Sequence, residues 1–196
     1  MSVDISVVTF WSVAGATKRG EVMTNIRVET ETTARRRAIT VGGIVAGLIG
    51  GAVIAVLMAL IAAGHGESVW RVLKMASSPF FHQRAMTGGF DAGPVLAGVL
   101  IHFAVSIVWG VLFAVVAYGI SRAATVGAGA LWGVVVWLVM FLIVVPLVSG
   151  RGPHTVNVAL PLVEHIIFGL AVGVGFLPYQ HELGPHRPWW RIRRVP

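Results

Sequence analysis

TVGGIVAGLIGGAVIAVLMALIAA, Thr40 to Ala63, decides the fold. A bilayer core about 30 Å thick is crossed by about 20 apolar residues rising 1.5 Å each, and this uncharged run is long enough. Three more follow it, Pro94 to Ile120, Gly127 to Val148 and Val158 to Leu177. Only His102, Glu164 and His165 interrupt them with ionisable groups. The chain therefore reads as an all-α membrane protein with four transmembrane helices in an up-down bundle.

Composition agrees. Hydrophobic residues make up 56% of the 196 and charged residues 12%, against about 25% charged in soluble domains. A water-soluble core of this size could not hide so much apolar surface, whereas lipid covers it. The net charge of +7 does not point to nucleic acid, because the basic residues collect at the ends of the spans, where they meet lipid headgroups. With no cysteine, disulfides and thiolate metal sites are excluded.

Arg35, Arg36 and Arg37 stand directly before the first span, and Arg187, Arg191, Arg193 and Arg194 follow the fourth. Cytoplasmic N- and C-termini place eleven of the fifteen Lys and Arg inside, as the positive-inside bias requires. Residues 1–38 then form a cytoplasmic N-terminal arm, 39–178 the transmembrane domain and 179–196 a basic cytoplasmic tail, with Trp189 and Trp190 as an interfacial anchor. The opening MSVDISVVTFWSVAGA carries Asp4 early and is followed by Lys18 and Arg19, the reverse of a signal peptide. It reads as an irregular arm, and Met23 opens a plausible alternative start that would leave out 1–22.

The longest connection, Gly64 to Gly93, falls on the outer face. Within it SVWRVLKMA, Ser68 to Ala76, sets Val69, Val72, Leu73 and Ala76 on one side at helical spacing, with Arg71 and Lys74 off it. That predicts a short helix in the interface plane. Asp91 and Asn157 are helix-cap candidates, and Pro94 and Pro161 suit first turns.

The spans also pair by internal similarity. His102, Gly110 and Phe113 of the second recur as His165, Gly173 and Phe176 of the fourth. Gly47, Gly51, Val53, Met58, Leu60 and Ile61 of the first recur as Gly129, Gly133, Val135, Met140, Leu142 and Ile143 of the third. Two spans per repeat is an even number, so the halves are expected to be parallel hairpins about an axis along the membrane normal.

Small residues recur every fourth position: Gly43, Gly47 and Gly51, continuing through Ala55, Ala59 and Ala63; Gly98, His102, Ser106 and Gly110; and His165, Gly169 and Gly173. Gly129 and Gly133 do the same on the third span. Such faces let helix backbones approach in lipid, so both histidines are expected on helix–helix seams. Ala55 and Ala59 correspond to Trp137 and Phe141, small against large.

Intramembrane ionisable groups raise a functional question, and His102, Glu164 and His165 leave three answers open. The first is structural, with each imidazole bonded to a carbonyl or to Ser106. The second is a b-type haem, with His102 and His165 as its ligands from facing helices. The third is a proton or ion path using Glu164 and both histidines, with Arg151 and His154 at its mouth and Ser106, Trp109, Trp132 and Tyr118 as the only polar groups beyond. No catalytic motif is present, whether HExxH, a phosphate-binding glycine loop, GxSxG or paired carboxylates. His65 with Glu67, or His82, supplies too few ligands for a metal, and His181 and His186 read as solvated.

IHFAVSIVWGVLFAVVAYG, LWGVVVWLVMFLIVVPLVSGRGP and VEHIIFGLAVG together resemble the YagU-like group of small four-helix bacterial inner-membrane proteins, over about half the chain. His102, Pro146, Glu164 and His165 carry the resemblance by position. It implies a bacterial inner membrane and a loose association with acid tolerance. The expected role is a non-enzymatic structural or accessory subunit without a cofactor, packed against itself or other membrane chains. The stripe on the first span is the expected partner contact.

Overall fold

The computed structural model describes the backbone of residues 5–149 and 159–180 and the side chains of 29–147 and 159–180. The expected cap Asn157, the mouth residues Arg151 and His154, the tail histidines His181 and His186, and the anchor of Trp189, Trp190 and the tail arginines lie outside the described residues. The chain divides into two units, Met1–Ala38 and Ile39–Pro196. Helix α1 runs Ile5–Gly64. The stretch from Ile5 that the sequence led us to expect as irregular is helical, and no proline interrupts it.

Four helices are long and apolar enough to cross a membrane: Glu29–Gly64 at the end of α1 (span one), α5 at Ala92–Ala117 (span two), Arg122–Leu147 (span three) and Ala159–Tyr179 (span four). Span three is α6, Arg122–Val139, then a π-helical turn, Met140–Val144, then α7, Val145–Ser149. The wide turn has a local cause. Pro146 lacks an N–H and its ring crowds the carbonyl one turn back, so the Val145 N–H reaches Met140 O instead. Span four is α8, Ala159–Phe176, closed by a 3₁₀ turn, Leu177–Tyr179.

The turn between spans two and three is tight. Gly119 takes a positive φ of 91°, a conformation glycine adopts freely at a helix end. Ser121 then starts α6, its hydroxyl accepting from the Ala124 N–H.

Glycines identify the seams, because a methyl group placed on them meets the neighbouring helix. On Gly47 it would overlap the Ser106 carbonyl and lie 2.7 Å from Ile107 Cα; on Gly43 it would lie 2.6 Å from Val111 Cα. Spans one and two are therefore in antiparallel backbone contact. Gly129 meets the Gly169 carbonyl and Gly133 the His165 carbonyl in the same way, closing spans three and four. The two hairpins share their glycine contacts: Gly47 on Ser106 corresponds to Gly129 on Gly169, and Gly110 against Gly43 and Gly47 to Gly173 against Thr125 and Gly129. The two sequence offsets that relate span one to three and span two to four thus carry one seam onto the other.

The hairpins join through side chains. Gly50 receives Val172 and Phe168, and Gly42 receives Phe176 and Tyr179, so span one meets span four. At the positions equivalent to Gly50 and Val172, Trp132 meets Trp109, ring centroids 5.8 Å apart, and joins span three to two. The core is Ala46, Phe113, Ala114, Ala117, Val136, Phe168, Val172 and Phe176. Outside it the spans expose Leu60, Leu100, Leu131, Leu142, Leu147 and Val174, the inverted surface that lipid accepts.

Residues 64–93 fold into a cap of short helices: α2, Val69–Lys74; a 3₁₀ turn, Met75–Ser77; α3, Ser78–Phe81; and α4, Gln83–Met86. It sits on the first turns of span two. Ser77 Oγ has its one O–H shared between Lys74 O and Pro94 O, at 2.7 and 2.9 Å, and Gly98 lies under the Leu73 carbonyl. Asp91 occupies the N-cap position of α5 but makes no cap bond; Arg84 takes its carboxylate instead, at 3.0 and 3.1 Å.

Candidate functional site

His102 projects from span two, one turn from Gly98 and one from Ser106. Its Nε2 donates across the first seam to Gly51 O at 2.9 Å, and its ring meets Phe103 edge-on. Ser106 does not serve the imidazole; its hydroxyl bonds back to the His102 carbonyl at 2.8 Å. His165, at the equivalent place in the second hairpin, donates from Nδ1 to Pro161 O of its own helix at 2.6 Å. Both rings are thus bonded to backbone carbonyls within their own hairpins.

A haem does not fit these residues. Axial ligation needs a free imidazole nitrogen from each side and a gap wide enough for a macrocycle. What is missing is the gap: both histidine-bearing faces are closed, Gly51 by the Ser106 and Phe103 side chains and Gly133 by the His165 carbonyl and the Ile166 backbone. The glycines that could have made room for a cofactor are filled by the neighbouring helix.

Glu164 is buried but looks elsewhere. Successive helical residues point about 100° apart, and Glu164 lies one turn from Phe168, on the face packed against Gly50 of span one. His165 lies on the face toward span three. Acid and imidazole therefore serve different seams. Beyond them, Phe168, Val172, Phe113 and Phe176 fill the core, and the Trp132 Nε1–H is spent on Trp109 O at 3.2 Å. Among the described residues, no polar chain continues through the bundle. Trp137, one turn from Gly133, stacks on Phe141 at 5.6 Å, and its buried Nε1 has no hydrogen-bond partner.

The small-residue positions are accounted for. Gly43, Gly47 and Gly51 pack on span two around Ser106 and Gly110; Gly129 and Gly133 pack on Gly169 and Gly173; Gly98 lies beneath the cap. The glycine half of the stripe expected to receive a partner, Gly43, Gly47 and Gly51, is consumed inside the chain, because span two offers a matching groove of small residues, while Ala63 at the far end of the stripe is exposed. A second copy or another subunit cannot reach Gly47 without displacing span two.

One polar residue was misplaced by sequence reasoning. Lys74, expected to point away from the apolar side of a surface helix, has no exposed area at all. Its ammonium donates to Gly89 O at 2.8 Å, Thr87 Oγ1 at 2.9 Å and Arg84 O at 3.2 Å. Three donors meet three acceptors, so the charge is solvated by the cap itself. The side predicted to face lipid is turned inward too: Val69, Val72, Leu73 and Ala76 are half-buried. The only sequence signal was the turn chemistry of Thr87, Gly88 and Gly89, which says nothing about what its carbonyls bind. Among the described residues, no group of three or more His, Asp or Glu could hold a metal.

Residues 38–183 match a family described as a family of unknown function, DUF6789. No curated protein and no solved structure matches the chain.

Proposed function

The chain belongs to the DUF6789 family, whose function is unknown, and from its geometry we propose a non-enzymatic structural or accessory subunit of a membrane. The observation that carries this reading is the closed interior. Four helices meet at backbone distance along two glycine seams, aromatic side chains fill the middle, and both imidazoles hold the chain's own carbonyls. The partner surface is then the aliphatic exterior of the spans, Leu131, Leu138 and Leu142 among it, rather than the glycine stripe. The arginines flanking the spans support cytoplasmic termini, and the YagU-like resemblance supports a bacterial inner membrane. Purification in mild detergent, with native mass spectrometry, tests the role. A homo-oligomer or a reproducible companion chain is expected; a solitary monomer from native membranes overturns the proposal.

A second reading, proton or ion movement, draws on one observation, the burial of Glu164 within span four. It requires a flux in liposomes that Glu164→Gln abolishes. The aromatic layers beyond Glu164 weigh against it, and absence of flux ends it.

A further inference from the structure

The cap has its polarity inside out. Lys74 is wholly buried at its centre, while Phe80 is 72% and Phe90 63% exposed, with Trp70, Met75 and Met86 also outward. A surface facing water would reverse this arrangement, hiding the rings and releasing the ammonium. The cap's other charges are matched locally, Arg71 with Glu67 at 3.7 Å and Arg84 with Asp91 at 3.0 Å. Arg84 also lies over the Phe81 ring, 5.6 Å from its centroid. Paired charges and an internally solvated lysine are what a segment needs where water is scarce.

We infer that the whole cap, and not one short helix of it, is immersed in the bilayer leaflet on its own side, with Trp70, Phe80 and Phe90 among the lipid. Three observations select lipid over another protein. Both ends of the cap run directly into spans, at Gly64 and Ala92. It is clamped to the first turns of span two through Ser77, Pro94 and Gly98, and Leu96 and Leu100 of that helix are exposed, so its apolar face continues a lipid-facing one. Trp70, edge-on to Phe90 at 4.9 Å, has the amphipathic ring that settles at the boundary of headgroups and acyl chains. The Lys74 network allows this depth: every N–H of the ammonium has an oxygen within the cap, so no charge faces hydrocarbon unsolvated.

The chain has no cysteine, so Phe80→Cys and Phe90→Cys each take a single spin label at an exposed site. In phosphatidylglycerol–phosphatidylethanolamine liposomes, collisions with oxygen and with a water-soluble nickel chelate locate the label. The expected result is oxygen contact as high as for a label at Leu100→Cys and loss of nickel contact relative to Glu31→Cys, an exposed position outside the cap, before the arginines that flank span one. High nickel contact at both positions places the cap in water and overturns the inference. Low contact with both reagents means that another chain covers the rings, which overturns it equally. A circular dichroism melt matching the unlabelled protein shows that each variant is folded.

Discussion

Phe113 and Phe176 meet edge-on, ring centroids 6.2 Å apart at 84°, and each is the other's counterpart. Phe113 follows Gly110 as Phe176 follows Gly173, and those glycines close equivalent seams in the two hairpins. A contact between equivalent residues lies on the axis relating the halves. Both side chains are buried, so the axis is filled with aromatic carbon at this level. The repeat is thus a property of the packing as well as of the sequence.

That contact predicts coupling. Phe113→Ala and Phe176→Ala should each lower the melting temperature in detergent, and the double variant should lose less than the sum. The shortfall should be about 0.5–1.5 kcal/mol, the typical worth of an aromatic pair beyond its area. Strict additivity would remove the ring contact from the account.

Glycines on and off the seams should respond with opposite signs. A methyl group on Gly110 would lie 2.5 Å from Gly47 N and 2.6 Å from Gly47 Cα, backbone that cannot turn aside, whereas one on Gly127 meets nothing within 4 Å. Gly110→Ala should destabilise by about 1–3 kcal/mol, as overpacking does. Gly127→Ala, inside α6, should stabilise by about 0.4–1 kcal/mol through lost freedom of the unfolded chain. Thermal melts of the two variants decide the matter, and equal shifts would contradict the seam.

Removing the ammonium of Lys74 should loosen the cap and leave the bundle. Lys74→Met strips a donor from Arg84 O, Thr87 Oγ1 and Gly89 O, about 0.5–1.5 kcal/mol for each bond lost, with Arg84 O keeping the Thr87 hydroxyl. Hydrogen exchange should rise across residues 68–90 while protection in spans three and four is unchanged. Uniform exchange in both proteins would mean that the lysine does not hold the cap.

The two histidines should behave as hydrogen-bonding groups of small individual effect. His102→Leu loses the bond to Gly51 O, a step of about 0.6 kcal/mol for an interhelical bond in a membrane. Protein purified from haem-replete cells should show no Soret band. A band that disappears with His102→Leu would reinstate the haem and refute the geometric argument against it.

Length and hydropathy alone determined the four spans, because a helix in hydrocarbon satisfies its own backbone and needs no partner to be recognised. The pairing of Gly47 with Gly129 and of His102 with His165 was equally legible, since a duplicated helix keeps its residue spacing. Only the tertiary structure decided what each face meets. The Gly43–Gly47–Gly51 stripe reads the same whether its neighbour is span two or another chain, and contact with Ser106 and Gly110 settles which. His102 and His165 look alike in sequence, yet one bonds across a seam and the other to its own helix, a choice made by the carbonyls that packing brings near. Lys74 went unread for the same reason: the oxygens that solvate it belong to a loop folded back over it, and no periodicity records where a loop's carbonyls point.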